Sequence, residues 1–238
     1  MPLSTHAQSG GPVDGPGTGE GAVQIGILEV TGYAVRTSIY HLVFGKVFER
    51  HPGLKIVFTE QPGLWWRPMV EEMDSLQILQ RDLVAAHLPV GRGAAGESER
   101  LPSAYAREHM FVGATCLAPF EAQDACEQGY ATQVLWGSDY PHPEGSWQFP
   151  RDEHDDSMTR LHLRDTFAGI PTEQTALMVG ENAARVYGFD LAKLQDVAER
   201  IDAPTFADLA TPLASEPEDR TTTNRGAWYC FRRHGAYH

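Results

Sequence analysis

The sequence predicts an α/β fold in which short parallel strands alternate with amphipathic helices. Two observations lead to this prediction. Strand-like and helix-like segments follow one another at the spacing typical of βα units, and three of the predicted strands end in a side chain that can bind a metal ion or a proton. About four βα units are present, which is half of a (β/α)₈ barrel, a fold of about 250 residues.

The predicted strands are short runs of β-prone residues that stop at polar or turn-forming positions. Ile56-Val57-Phe58 is the clearest such run, because β-branched and aromatic side chains are enriched in strands. In chain order, the predicted strands are Pro2–His6, Leu54–Glu60, His109–Thr115 and Gln133–Ser138.

The predicted helices place apolar side chains three and four residues apart. In the segment 36–50 this stripe includes Ile39 and Val43. A second helix is expected from about Pro68, because proline suits the first turn of a helix. The remaining predicted helices are Pro119–Gln128 and Thr172–Tyr187, the latter with Thr172 as its N-cap and Gly188 as its C-terminal stop.

Both ends of the chain are expected to be irregular. Residues 8–21 are rich in Gly, Ser and Pro, which is typical of a loop. From Pro204 onward, further prolines, an acidic run and a stretch of threonines predict a loosely attached tail. We find no internal repeat.

Composition excludes several classes of protein. The 238 residues are 42% hydrophobic and 21% charged, which is ordinary for a folded protein. No apolar run approaches the roughly 20 residues of a spanning helix, and no secretory signal is recognisable, so we expect no membrane contact. Three cysteines without a CxxC motif fit a reduced, cytoplasmic compartment. A net charge of −13 argues against a nucleic-acid partner but does not identify a substrate.

The segment LWGSDYPHPEG at 135–145 is the sharpest local feature. Its apolar strand runs into Asp139, and in parallel α/β folds ligands bind at the carboxyl ends of the strands. A carboxylate in that place can bind a metal or take a proton. The alternative is an aspartate that caps the next turn. His142 follows on the same loop and is a candidate to contact substrate or orient Asp139, whereas Glu144 is more simply a polar loop residue.

Two other predicted strands end in candidate site residues. His6 ends the first strand, and a neutral imidazole is a common zinc ligand. Glu60 ends the second strand, with a salt bridge to Arg67 as the alternative to a catalytic role. The recurrence of His, Glu and Asp at three strand ends is harder to obtain by chance than any one of them.

Two familiar motifs are absent. The glycines at 15–21 do not have the GxGxxG spacing and lack a framing strand and helix, which argues against a dinucleotide site. Ser138 lacks the second glycine of a GxSxG nucleophile elbow.

Several segments together resemble one family. LKIVFTEQPGLWW, FVGATCLAPFEAQDACEQGY, WGSDYPHPEG and VGENAARVYGF occur in the order seen in the amidohydrolase-related proteins grouped with aminocarboxymuconate-semialdehyde decarboxylase. WGSDYPH and GENAARVYG are the most specific of them. The resemblance extends from the N-terminus to about Asp190. It implies a (β/α)₈ barrel with one divalent metal ion, often zinc, that hydrolyses bonds or removes CO₂ without an oxidant.

The resemblance also implies roles for individual residues. Asp139 matches the acidic metal ligand and base at the last strand, and His6 matches the histidine ligand that ends the fifth strand. Glu60 stands where many relatives have a catalytic histidine, and His142 is implied to face the substrate. Asn182, in GENAARVYG, is interpreted as structural.

One departure from the family pattern concerns the metal site. Relatives carry an HxH pair at the first strand, and no HxH precedes His6 here. We therefore expect residues 1–190 to be the C-terminal half of such a barrel and 191–238 to be a partly irregular extension. Because a half barrel leaves strand edges unpaired, self-association is expected, and a homo-oligomer is left open.

These observations predict a metal-dependent hydrolase of a small-molecule amide, ester or lactone. A zinc ion would lower the pKa of a bound water to about 7, with Asp139 taking the proton. The alternatives are a non-oxidative decarboxylase that uses the same site, and a non-catalytic fragment without the HxH ligands.

Overall fold

The computed structural model describes residues 2–5, 34–61, 63–88, 100–115, 117–142, 145–147 and 156–214. Four predicted features lie outside these residues: the candidate ligand His6, the glycine-rich segment 8–21, Glu144, and the acidic and threonine-rich part of the predicted tail after residue 214. None of the helices in the described ranges has both the length and the hydropathy to cross a bilayer.

The described strands form one four-stranded sheet. They are β1 (Leu3–Thr5), β2 (Ile56–Thr59), β3 (Met110–Thr115) and β4 (Val134–Gly137), and they lie side by side in that order. β1 pairs with β2 in parallel, with Ser4 opposite Val57. A parallel sheet whose spatial order follows the chain, with helices between its strands, confirms the predicted α/β class and the partial-barrel arrangement.

The helices lie between the strands and after them. They are α1 (Ala34–Phe44), α2 (Val47–Arg50), α3 (Trp66–Ala85), α4 (Pro102–His109), α5 (Pro119–Glu127), α6 (Met158–Phe167), α7 (Thr172–Ala176), α8 (Asn182–Tyr187), α9 (Leu191–Arg200) and α10 (Phe206–Leu209). A 3₁₀ turn, Ala131–Gln133, leads into β4, and a π turn, Leu177–Glu181, joins α7 to α8.

The chain divides into two compact units, Met1–Val112 and Gly113–His238, with the division inside β3. In the first unit, Phe58 of β2 lies beside Trp66 of α3, with ring centroids 6.4 Å apart, and Phe58, Trp66 and Ile39 are almost completely buried. His109 is also buried there, where its ring stacks on Phe48 with centroids 4.7 Å apart and its Nδ1 lies 2.9 Å from Leu54 O. It therefore serves the packing of this unit.

The second unit has its own core. Leu117, Phe167 and Met178 are almost fully buried. The Thr166 hydroxyl donates to Leu117 O at 2.7 Å, which ties α6 to the segment before α5. These contacts hold the helices of the second unit together.

The predicted helix 36–50 is interrupted. Gly45 and Lys46 separate α1 from α2, and Lys46 has a left-handed φ of 55°. A Cβ at Gly45 would collide with the carbonyl of His41, so the chain turns where only glycine fits. Helical periodicity continues through this break, which is why the pattern did not reveal it.

The boundaries of two other predicted elements also differ. His109 ends α4 instead of beginning β3. Pro171, not Thr172, occupies the N-cap of α7, and no side chain caps that end. Gly188 does end α8 as predicted, with φ 75°.

The predicted loose tail is wrong for residues 205–213. Thr205 caps α10 in a capping box with Asp208, and Leu209 is buried. Leu213 packs against Met158 and Leu161 of α6. This part of the chain therefore belongs to the packed second unit, because its few apolar residues find a partner on α6.

Candidate functional site

Asp139 lies just beyond β4, in the loop predicted to carry chemistry. Its carboxylate is mostly buried, with 17% of the side chain exposed. Its backbone has a left-handed φ of 59°, which is uncommon for a residue with a side chain. β4 therefore delivers the carboxylate at its carboxyl end, and the following turn holds it in a strained conformation.

His142 is hydrogen-bonded to Asp139 through both backbone and side chain. His142 N donates to Asp139 O at 2.7 Å, and His142 Nδ1 lies 3.1 Å from Asp139 Oδ2. Because an ionised carboxylate can only accept, the imidazole donates through Nδ1. Half of the His142 side chain is exposed to solvent, whereas most of the Asp139 side chain is buried.

The loop that carries this pair closes on itself. Ser146 N donates to Ser138 O at 2.9 Å, and the indole of Trp147 donates to His142 O at 2.6 Å. A Cβ at Gly145 would lie 2.8 Å from Asp139 O and closer still to Ser138 O. Only glycine fits there without a shift of the backbone that bears Asp139.

Glu60 is placed in the first unit as Asp139 is in the second. It directly follows β2, is half-buried, and has a left-handed φ of 54°. The strand end is held by the Thr59 hydroxyl, which donates to Thr5 O at 2.6 Å. Arg67, the suggested ion-pair partner of Glu60, instead pairs with Glu71 at 2.7 Å.

A shared backbone feature therefore marks two of the candidate acids. Glu60 and Asp139 both follow a parallel strand and both have positive φ. Such conformations cost about 1–3 kcal/mol and concentrate at functional sites. No sequence pattern revealed this, because glutamate is not typical of the left-handed region.

A cation in the first unit was not singled out from the sequence. The Arg36 guanidinium lies over the Trp65 ring, with Cζ 4.5 Å from the ring centroid. Burial lowers the pKa of Arg36, an effect partly offset by Tyr40. Arg36 lies in the first turn of α1 and Trp65 directly precedes α3, so both are near helix starts that follow strands.

Asn182 has the structural contacts that its interpretation requires. Its buried amide donates to Ala131 O and Val134 O, both at 2.8 Å. Arg185 extends the contact by donating to Thr132 O at 2.6 Å. The GENAARVYG segment therefore fixes the backbone at the start of β4. Asp139 follows the other end of this strand, so these hydrogen bonds help to position it.

The donor chemistry of the second unit fits a divalent metal ion. The Asp139 carboxylate offers an ion an oxygen donor, and zinc commonly takes carboxylate oxygens together with imidazole nitrogens. A carboxylate has two oxygens, so one can bind an ion while the other accepts from His142, as ligating carboxylates commonly do.

The family of the chain is decided by comparison with known proteins. The family model described as Amidohydrolase matches residues 23–189, which is more than half of the chain. The chain belongs to the amidohydrolase family. The matched segment of this amidohydrolase chain includes Glu60, Asp139, His142 and Asn182, and begins after His6. The family assignment confirms that the resemblance found in the sequence points to the amidohydrolase family.

Solved structures similar to this amidohydrolase chain are more distant. One is the 5-carboxyvanillate decarboxylase LigW of Sphingomonas paucimobilis, with 20% identity and a TM-score of 0.45 over 66% of this chain and 40% of that chain. Another is the IDCase of Metarhizium anisopliae in apo form, with 18% identity and a TM-score of 0.48 over 71% of this chain and 44% of that one. The chain thus spans less than half the length of either. No curated protein matches it significantly.

Proposed function

We propose that this chain contributes Asp139 to a metal-dependent amidohydrolase site. The proposed reaction is hydrolysis of an amide, ester or lactone of a small molecule. The observation that supports this most directly is the buried Asp139 carboxylate, held by His142 at the end of β4 in a chain of this family. Zinc is the proposed ion, because a carboxylate and imidazoles are donors that it prefers.

Each candidate residue has a proposed role. Asp139 is a metal ligand and takes a proton from the attacking water. His142 orients that carboxylate through the Nδ1 bond, and its Nε2 is proposed to accept a hydrogen bond from substrate. Glu60 is proposed as a further acid or base, on the ground of its strand-end place and strained backbone. His6 is proposed as the histidine ligand.

The residues of the chain do the positioning in this scheme. When bound, a divalent ion would supply a Lewis acid and lower the pKa of a water ligand to about 7. Asp139 accepts the proton with its rotamer already fixed by His142, and the closed loop around Gly145 keeps both groups from drifting.

An activity assay on zinc-loaded full chain tests this proposal. We expect release of p-nitrophenol from p-nitrophenyl acetate above the rate of the metal-free chain. The Asp139→Asn variant should lose this difference, while His41→Ala, which changes an exposed histidine of α1, should keep it. Equal rates for wild type and Asp139→Asn would contradict the proposal.

Non-oxidative decarboxylation is the second candidate. It is favoured by the Arg36 guanidinium, because a half-buried cation at the start of a helix that follows a strand suits a carboxylate-bearing substrate. The same zinc-loaded chain should then release CO₂ from an aromatic acid and show no zinc-dependent ester hydrolysis.

A further inference from the structure

Arg36 is a half-buried cation whose guanidinium is partly removed from water. Its Nε is shielded from solvent and has no hydrogen-bond partner, and within the described ranges no carboxylate forms an ion pair with it. An arginine keeps its charge at neutral pH. A charge that is partly removed from water and left unpaired is costly, so its place in the structure requires an explanation.

Trp65 supplies a second donor beside this cation. Its indole Nε1 is also buried and also lacks an acceptor. The guanidinium lies over the same ring, with Cζ 4.5 Å from the centroid, so the cation and the indole N–H are close neighbours. Two unsatisfied donors on stacked side chains are therefore held ready for an acceptor.

A second stacked arginine in the same unit shows the contrast. Arg100 lies over the Tyr105 ring, with Cζ 4.7 Å from the centroid. Its guanidinium is paired with Glu108 at 2.5 Å, and this hydrogen bond raises the pKa of Arg100. Burial instead lowers the pKa of Arg36. Arg100 thus has a carboxylate partner within the protein, whereas no carboxylate in the described part of the chain pairs with Arg36.

The place of the two residues in the fold points to a ligand. Arg36 is in the first turn of α1, the first described helix after β1, and Trp65 precedes α3, which follows β2. In βα units, strand-to-helix connections lie at the carboxyl edge of the sheet, and ligands bind at that edge.

We propose that Arg36 and Trp65 form a binding site for a carboxylate with a flat apolar body. The planar guanidinium matches the two oxygens of a carboxylate, and the indole N–H adds a donor. A single cation in a chain of net charge −13 suits one negative charge better than the two of a phosphate. Naming the substrate as a carboxylate rests on the second candidate function, decarboxylation, whereas the binding site itself does not.

Calorimetry with benzoate on the metal-free, EDTA-treated full chain tests the site. Benzoate should bind, and benzyl alcohol, its neutral analogue, should not. Arg36→Gln should weaken benzoate binding by about 10- to 100-fold, because a charged hydrogen-bonding partner is lost. Trp65→Phe keeps the ring but removes the N–H, and should weaken binding by about 3- to 10-fold.

Arg100→Gln is the matched control and should leave benzoate affinity unchanged, because its guanidinium already has Glu108. If Arg36→Gln fails to fold by circular dichroism, Arg36→Lys replaces it and should weaken binding by about tenfold, since lysine cannot form the paired bonds. Absence of benzoate binding in the wild type, equal binding of benzyl alcohol, or full affinity in the Arg36 variant would overturn the proposal. Because no metal is present, failure of the hydrolase assay leaves this result unaffected.

Discussion

Asp139 and His142 are joined by two hydrogen bonds, one through the backbone at 2.7 Å and one through the side chains at 3.1 Å. The backbone bond turns the chain so that the imidazole returns to the carboxylate. The side-chain bond then fixes the rotamer of Asp139. A carboxylate that is oriented before any ligand arrives loses less entropy when it binds.

The first prediction concerns this orientation. His142→Ala should weaken zinc binding by about tenfold and leave some affinity, because a residue that orients a ligating group commonly contributes about 10- to 100-fold. Titration calorimetry with zinc measures the change. If the loss were as complete as in Asp139→Asn, His142 would be a ligand in its own right.

The second prediction concerns the loop glycine. Gly145→Ala should lower the free energy of unfolding by about 1–3 kcal/mol, because the added Cβ meets the backbone oxygens of Ser138 and Asp139. Urea denaturation measures this, with Gly180→Ala as the control, since a Cβ at Gly180 meets no atom. Equal stability of the two variants would mean that the loop around Asp139 adjusts freely.

The third prediction concerns Asn182. Asn182→Ala should lower the free energy of unfolding by about 2–4 kcal/mol, because two buried carbonyl groups, Ala131 O and Val134 O, lose their donor. Gln195→Ala, which removes an exposed hydrogen bond to Glu199, should change it by less than about 0.5 kcal/mol. If Asn182→Ala lowered the free energy of unfolding as little as this control does, the GENAARVYG segment would not have the structural role assigned to it.

The fourth prediction is a pH dependence of stability. Burial and the hydrogen bond to Asp124 raise the pKa of Tyr130 above its usual value of 10.0. The unfolded chain therefore ionises first, so the stabilisation is complete below about pH 10 and is lost as the pH rises above it. Tyr130→Phe should flatten the fall in stability between pH 10 and 11. A fall as steep as in the wild type would place its cause elsewhere.

Much of the sheet could be predicted from the sequence, because each strand is a local run of β-prone residues with a clear stop. The break at Gly45 could not, since it depends on contact with a backbone carbonyl one turn earlier. α10 was missed although Thr205 and Asp208 have capping-box spacing, because four residues carry little periodicity.

The same distinction applies to the site. Asp139 and His142 are three residues apart, so the sequence already placed them on one loop. Arg36 lies in the first turn of α1 and Trp65 directly precedes α3, and only the folded chain shows that the guanidinium lies over the indole ring. The positive φ of Glu60 is likewise imposed by the structure around it.

Zinc calorimetry on the wild type, Asp139→Asn and His41→Ala tests the central claim, that Asp139 holds the metal. The account predicts weak binding by the wild type, because a catalytic zinc normally has three protein ligands and only His6 and Asp139 are proposed here. Affinity should fall at acidic pH as histidine is protonated. Asp139→Asn should abolish binding and His41→Ala should preserve it. Tight stoichiometric binding that survives Asp139→Asn would contradict the account.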